Sequence, residues 1–216
     1  MKLNGGVNTK VADDNLAPVT ALELRALPAR ITLISHAPTL ALKRASFPLD
    51  APLPEDEIEK VATQGWTAPQ AQYVCCGPEK RTQQTAEALS LEPSVAIELA
   101  DVDYGTWNGK EIEDIHATDP EGLASWLTDV NAVPHGGESF AHLIIRVQRW
   151  MKDRTTAGHT MAVTHPSVVR AAILCAIQAP PESFWRIEIA PLTLTDLRFN
   201  GKQWTLRVAG CPVLLK

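Results

Sequence analysis

The sequence lacks the features that mark exported, membrane-bound or nucleic-acid-binding proteins. It has no excess of positive charge: the formal net charge is −5, which is unfavourable for binding DNA, RNA or anionic lipid. No apolar run reaches the length that crosses a bilayer, and the N-terminal residues do not resemble a secretory signal. We therefore expect a cytoplasmic protein that has neither a nucleic acid nor a membrane as its partner.

Cysteine is also scarce, with four residues at Cys75, Cys76, Cys175 and Cys211. Two of them are adjacent, which is unfavourable for a framework of disulfides, and none has the spacing of a zinc site. We expect free thiols in a reducing compartment, and neither a metal ion nor another cofactor.

The chain contains no internal repeat and no low-complexity tract, and its 45% of hydrophobic residues can fill the core of one domain. Residues 1–29 are interpreted as an N-terminal arm because glycine and proline interrupt any long periodicity, although residues 19–27 can form a short helix. Residues 30–216 form the predicted domain. Within it, the polar and irregular residues 101–135 are interpreted as a lid insertion that carries short helices.

The hydrophobic pattern predicts strands that alternate with helices. Strands are predicted at residues 31–35, 71–75, 95–99 and 160–164, followed by a hairpin whose turn is Asn200-Gly201. Helices are predicted at residues 40–45, from Pro54 onward, and at residues 81–89, 138–152 and 167–177. The alternation predicts an α/β fold: a three-layer sandwich with a mostly parallel central sheet and helices on both faces.

Polar residues that can carry chemistry follow the predicted strands. His36 and His165 come directly after the first and fourth strands, and Arg81 follows the second. In parallel sheets, ligands bind beyond the carboxyl ends of the strands. Together with Asp101, these residues could supply a nucleophile, cations for the non-bridging oxygens and a proton donor, which are the requirements of phosphoryl transfer. The sequence therefore predicts a phosphate site at this edge of the sheet.

Six segments in order carry a specific resemblance. They are Ile34-Ser-His-Ala-Pro-Thr39, Asp50-Ala-Pro-Leu53, Cys76-Gly-Pro-Glu-Lys-Arg-Thr-Gln-Gln-Thr-Ala86, Asp101-Val-Asp-Tyr-Gly-Thr-Trp-Asn-Gly109, Gly137-Glu-Ser139 and Val163-Thr-His-Pro-Ser-Val-Val-Arg-Ala171. From about residue 31 to residue 208 the chain resembles the histidine phosphatase superfamily, the group of phosphoglycerate mutases and related phosphatases. This resemblance implies a phosphoglycerate mutase-like fold and hydrolysis of a small phosphorylated metabolite.

The resemblance also implies roles for individual residues. His36 would attack phosphorus and become a phosphohistidine, while Arg81 and His165 would hold the phosphoryl oxygens. Asp101 matches the acid that protonates the leaving group, and Asp103 is the second choice for that role. We therefore take His36, Asp101 and His165 as the candidate catalytic residues.

One departure from the family pattern concerns the charge of the site. The family's arginine before the nucleophile is Ser35 here, and serine neither clamps a phosphoryl oxygen well nor keeps the neighbouring imidazole neutral. By analogy with the loss of one preorganised donor, we expect a rate lower by about 10²–10³-fold. Lys43 or Arg44 on the next helix could restore the charge. We count Ser35, Arg44 and Thr39, which matches the family's phosphate-loop threonine, with Arg81 as phosphate-binding residues.

Two alternatives compete with a histidine phosphatase. Cys75 and Arg81 have the Cys-x₅-Arg spacing of cysteine-dependent phosphatases, but Pro78 removes one of the backbone N–H donors that such a loop needs. Ser35 is compatible with a non-catalytic, phosphatase-like protein that binds a phosphorylated ligand or has a regulatory role. Because a binder needs neither a nucleophile nor an acid, His36 and Asp101 favour the enzyme. The sequence specifies neither the substrate nor the oligomeric state.

Overall fold

The computed structural model describes residues 28–156 and 158–213. The predicted N-terminal arm, including its short helix, lies outside the described residues except for Pro28 and Ala29. Ala29 already belongs to the first strand. Among the described residues, no helix is long and apolar enough to cross a membrane.

In the described part of the chain, six strands form one mixed sheet. They are β1 (Ala29–Ser35), β2 (Tyr73–Cys76), β3 (Ser94–Val95), β4 (Gly158–Thr164), β5 (Thr193–Phe199) and β6 (Trp204–Pro212). Their spatial order is β3-β2-β4-β1-β5-β6, in which the first four are parallel and β5 runs antiparallel to β1. The predicted hairpin joins β5 to β6, and the N–H of Asn200 donates to the carbonyl of Gln203 across its turn.

Seven α-helices connect these strands within the described residues. They are α1 (Leu40–Lys43), α2 (Glu55–Thr63), α3 (Lys80–Ala88), α4 (Ile112–Thr118), α5 (Pro120–Thr128), α6 (Phe140–Lys152) and α7 (Pro166–Ile177). Three of them, α1, α5 and α6, have a side chain that caps the first turn, and α5 and α7 have proline at the first position. The Ser139 hydroxyl, for example, accepts the N–H of His142 at the start of α6, and Pro166 opens α7.

The third predicted strand is wrong over most of its length. Only Ser94 and Val95 pair with β2, whereas Ile97–Leu99 form a 3₁₀ turn. The pairing stops because β2 ends at Cys76, opposite Val95, so the residues that follow have no strand beside them. The turn brings the chain back across the carboxyl edge of the sheet, directly before Asp101.

The core lies on both faces of the sheet, which confirms the three layers. Alternate residues of a strand point to opposite faces, so Leu33 packs into one buried cluster and Ile34 into the other. The first cluster includes the inner faces of α6 and α7, and the second includes those of α2 and α3. Helices on both faces leave the carboxyl edge of the sheet free to form a site.

The predicted lid segment contains α4, α5 and a 3₁₀ turn at Gly105–Trp107. Trp107 and Trp126 are buried in it and pack against Phe47 at ring-centroid distances of 5.2 and 5.4 Å. Their main role is therefore to form the aromatic core of this segment. Trp126 also lines the cavity described next.

Candidate active site

His36 follows β1 directly and is held at the carboxyl edge of the sheet. Its N–H donates to the carbonyl of Thr164, at the end of β4, over 2.9 Å. Its Nδ1 lies 2.7 Å from the carbonyl oxygen of Ala37. Because a carbonyl can only accept, Nδ1 carries the proton and the lone pair of Nε2 is free. Burial, together with the charges of His165 and Arg81, lowers the pKa of His36 to about 3, so the ring is neutral at physiological pH and its Nε2 is chemically able to act as a nucleophile.

His165 directly follows β4 and precedes α7. It is completely buried, and its ring centroid is 5.3 Å from that of His36. Its Nε2 lies 2.6 Å from the Oε2 of Glu79, and its Nδ1 lies 3.4 Å from the Oδ2 of Asp101. Within residues 28–156 and 158–213, Nδ1 has no hydrogen-bond partner. One nitrogen of this ring is therefore fixed by Glu79, while the other remains available.

Arg81, in the first turn of α3, is 3% exposed and holds Asp101 in place. Its Nη2 donates to the Oδ2 of Asp101 at 2.8 Å, and its Nη1 donates to the carbonyl of Leu49. The hydroxyl of Ser167, in the first turn of α7, donates to the other oxygen of Asp101 at 2.6 Å. Burial alone would raise the pKa of Asp101, but the charges of His165 and Arg81 outweigh it and hold that pKa well below its usual range. In the free protein Asp101 is thus a carboxylate.

Four of the predicted site residues, His36, Thr39, Arg81 and Asp101, line a single cavity of about 330 Å³. His165 is not among the residues that line the cavity, and its ring lies next to that of His36. Thr39 reaches the cavity from the start of α1, where its hydroxyl accepts the N–H of Leu42. The structure therefore brings together residues from β1, α3, β4 and the segment after the 3₁₀ turn. Among the described residues, no cluster of side chains is suited to a metal ion.

Two predicted phosphate-binding residues lie elsewhere. The buried hydroxyl of Ser35 donates to the carbonyl of Ala190 at 2.6 Å and accepts the N–H of Thr193 at 3.1 Å, so it holds the start of β5. Arg44 is exposed and does not line the cavity, and Lys43 pairs with Glu57 instead. Neither Ser35 nor Arg44 therefore lines the cavity, and the Ser35 hydroxyl is occupied by contacts with Ala190 and Thr193, which are distant in the sequence.

The structure adds three residues to the site: Glu79, Ser167 and Arg170. Arg170 lies three residues after Ser167 on α7 and lines the same cavity, with its guanidinium carbon 5.6 Å from the rings of Phe184 and Trp185. In the sequence, Ser167 and Arg170 could have been identified from their helical spacing on the predicted helix that follows His165. Glu79 could have been identified because it is an acid at the position where the similar segment of the family has leucine.

The ionised state of Asp101 predicts how stability depends on pH. Its folded pKa is lower than the unfolded value of about 4, so its contribution is present above pH ~4 and is lost as the pH falls through the folded pKa. When the pH falls from about 6 to about 3, we expect the free energy of unfolding of Asp101→Asn to decrease less than that of the parent. Urea denaturation at these pH values measures this difference.

The matched control is Asp56→Asn, which removes an exposed carboxyl whose pKa is lowered mainly by Lys60. We expect the pH dependence of this variant to remain close to that of the parent, since exposed pairs contribute little. If Asp101→Asn follows the parent curve as closely as Asp56→Asn does, the ionised Asp101 does not stabilise the fold.

A family model matches residues 31–212 of this chain: the histidine phosphatase superfamily (branch 1). Because the match covers most of the chain, the chain belongs to this superfamily. The family assignment from the sequence motifs is confirmed.

Individual relatives include phosphatases. The chain is 27% identical over 143 residues to the adenosylcobalamin/alpha-ribazole phosphatase of Escherichia coli, in an alignment covering 62% of this chain and 70% of the relative. It is 29% identical over 138 residues to a bifunctional protein of Mycobacterium tuberculosis, covering 59% of this chain and 38% of that protein. The chain thus spans well under half the length of this mycobacterial relative.

The solved structures agree on the fold. The crystal structure of the alpha-ribazole phosphatase from Shigella flexneri superimposes with a TM-score of 0.72 at 26% identity, over 84% of this chain and 96% of that one. The fold is therefore that of the phosphoglycerate mutase-like phosphatases, as the sequence predicted.

Proposed function

We propose that this protein is a phosphomonoesterase that hydrolyses a small phosphorylated metabolite through a phosphohistidine at His36. The observation that carries the proposal is the state of His36: a neutral ring with a free Nε2, in a residue that lines the same cavity as Arg81. A neutral imidazole beside a guanidinium is what an attack on a phosphate monoester requires. The phosphatase relatives support the same class of reaction.

Two buried nitrogens favour a phosphoryl group as the ligand. Arg81 Nε and His165 Nδ1 have no hydrogen-bond partner in the described part of the chain. Unpaired polar atoms are costly to bury, and a phosphoryl group could accept from both. Arg81 Nη2, now bound to Asp101, could also transfer to a phosphoryl oxygen.

Such a transfer would release Asp101 for acid catalysis. The approaching phosphoryl charge and the loss of the Arg81 contact both raise the pKa of Asp101 in the complex, so it can carry a proton there. Nε2 of His36 attacks phosphorus, the ester P–O bond breaks, and Asp101 gives its proton to the leaving oxygen. Asp101 then accepts a proton from the water that attacks phosphohistidine, which releases phosphate and restores His36.

The other wall of the cavity should contact the leaving group. It is formed by six aromatic side chains, with Arg170 as the cation beside them. The aromatic residues are Phe47, Tyr104, Trp126, Phe140, Phe184 and Trp185. No carboxylate in the described residues forms an ion pair with Arg170, and its Nε is buried without a partner there. We propose that Arg170 binds the leaving group of substrates that carry a second negative charge.

Arg170→Met tests this role. We expect KM for 4-carboxyphenyl phosphate to rise about 10-fold or more, because a charged hydrogen bond is lost, while KM for phenyl phosphate changes little. Steady-state kinetics on the two esters measure the difference. Arg186→Met, at an exposed arginine outside the cavity, is the control. An equal rise in KM for both esters would indicate that Arg170 contacts the phosphoryl group, which would contradict this role.

The experiment that tests the function is a panel of phosphomonoesters chosen from the relatives. It should contain alpha-ribazole 5′-phosphate, phosphoserine and glucosyl-3-phosphoglycerate, as well as phenyl phosphate. Release of phosphate from any of them supports the enzyme. The second candidate is a phosphatase-like protein that binds a phosphorylated ligand without turnover, and the absence of an arginine at position 35 favours it. Binding without release would support that candidate.

We further propose that residues 30–216 form the catalytic domain and that residues 101–135 act as its lid. Tyr104 and Trp126 from that segment line the cavity, which supports the second point. The four cysteines are free, which supports a reducing compartment such as the cytoplasm.

A further inference from the structure

Glu79 joins two residues of the proposed catalytic site. Its side chain is 18% exposed and turns inward at the start of α3. One oxygen, Oε2, lies 2.6 Å from His165 Nε2, and the other, Oε1, accepts the N–H of Asp101 at 2.9 Å. Gly77 leaves the room for this arrangement, since a Cβ there would lie 3.0 Å from His165 Nε2 and 3.1 Å from Glu79 Oε2. A single carboxylate therefore fixes both His165 and the backbone of Asp101.

This geometry determines which atoms of His165 carry protons. The hydrogen bond with His165 lowers the pKa of Glu79 although burial opposes it, so Glu79 is a carboxylate and can only accept. His165 Nε2 is therefore the donor. The other nitrogen, Nδ1, faces the ionised Oδ2 of Asp101 at 3.4 Å. A lone pair on Nδ1 would be repelled by this carboxylate, whereas an N–H would be attracted to it.

The groups that surround His165 come from four elements. His36, after β1, is neutral, and Arg81 on α3 opposes a positive charge on the ring. Glu79, at the start of α3, and Asp101, after the 3₁₀ turn, are negative and favour a positive charge. On α7 itself, Ser167 is neutral and directs its hydroxyl to Asp101. Each nitrogen of the His165 ring thus faces one carboxylate, Glu79 at Nε2 and Asp101 at Nδ1.

We propose that Glu79 is a positioning residue that holds His165 as an imidazolium directed at the phosphoryl oxygens, and that this fixed charge replaces the arginine missing at position 35. The catalytic part of this inference rests on the proposed phosphatase function. The protonation of His165 does not, because it is a property of the free protein. The two parts can therefore be tested separately.

The first experiment measures the protonation of His165 directly. Long-range ¹H–¹⁵N NMR of the histidine rings reports whether each nitrogen carries a proton. In Glu79→Gln, which preserves shape and one hydrogen bond, and in Glu79→Leu, we expect the second proton of His165 to be lost at a pH lower by about one unit or more than in the parent. Glu87→Gln, an exposed acid on the same helix, is the control and should titrate like the parent.

The second experiment measures the catalytic consequence. With phenyl phosphate, we expect the alkaline limb of the kcat/KM profile to move to lower pH in Glu79→Gln, and Glu79→Asp to move it back toward the parent. A purely structural role for Glu79 would lower thermal stability without moving this limb. An unchanged His165 titration in both Glu79→Gln and Glu79→Leu would overturn the inference. If the parent hydrolyses no ester while the titration shifts as expected, the proposed function fails and the positioning of His165 stands.

Discussion

Replacement of His36 by alanine is expected to abolish turnover, with a loss on the order of 10⁴-fold or more. His36 combines a lowered pKa, a free Nε2 and a position on the cavity wall. The variant should also lose the covalent adduct. Phosphohistidine is labile in acid and stable in alkali, so rapid-quench labelling with a ³²P-labelled ester, followed by peptide mapping, measures both effects.

The control for this prediction is Cys75→Ser. Burial raises the pKa of Cys75 to about 11, and its Sγ lies 3.8 Å from the carbonyl of Met161, so it is a thiol inside the sheet. We expect this variant to keep both the label and the turnover. A label that survives in His36→Ala and disappears in Cys75→Ser would assign the reaction to cysteine chemistry and contradict the proposed mechanism.

The sequence predicted the parts of the site that local patterns determine. His36 and His165 each follow a short apolar strand, and parallel strands bring their carboxyl ends to one edge. Arg81 was predicted in the same way, from the strand and helix on either side of it. The fold followed from the same alternation of strands and helices, although the third strand is shorter than predicted.

The features that sequence reasoning missed depend on contacts between distant residues. Ser35 turns away from the cavity because Thr193, 158 positions later, binds its hydroxyl. Glu79 acquires its role from His165, which is 86 positions away. The period of a strand or helix contains no information on such pairs. They become visible only when the order of the strands in the sheet is known.

The absence of the family's arginine also has a smaller effect on His36 than the sequence suggested. We expected that a serine at position 35 would leave the imidazole free to protonate. In the structure, burial is the largest cause of the lowered pKa, and His165 and Arg81 add to it. His36 therefore stays neutral without an arginine beside it, and in the proposed reaction the missing arginine affects the binding of the phosphoryl oxygens.

Arg81 should therefore show the second large effect, on both binding and stability. Arg81→Gln leaves the largely buried carboxylate of Asp101 without its charged partner, and breaking a buried pair in this way costs about 3–5 kcal/mol. We expect a loss of stability near the lower end of that range, since Ser167 and His165 still contact Asp101. Urea denaturation measures this loss, and titration with vanadate measures the loss of affinity.

Two further variants test whether these effects come from the ion pair between Arg81 and Asp101. Lys43→Gln breaks the more exposed pair with Glu57 and should cost at most about 1 kcal/mol. Arg81→Gln combined with Asp101→Asn should cost less than the sum of the two single variants, because neither charge is then left alone. Vanadate affinity should nevertheless stay low in the double variant, since the cation itself is absent. If affinity returned when Asp101 was neutralised, Arg81 would serve only to hold Asp101, and the phosphoryl group would have to bind to His165 and Arg170 alone.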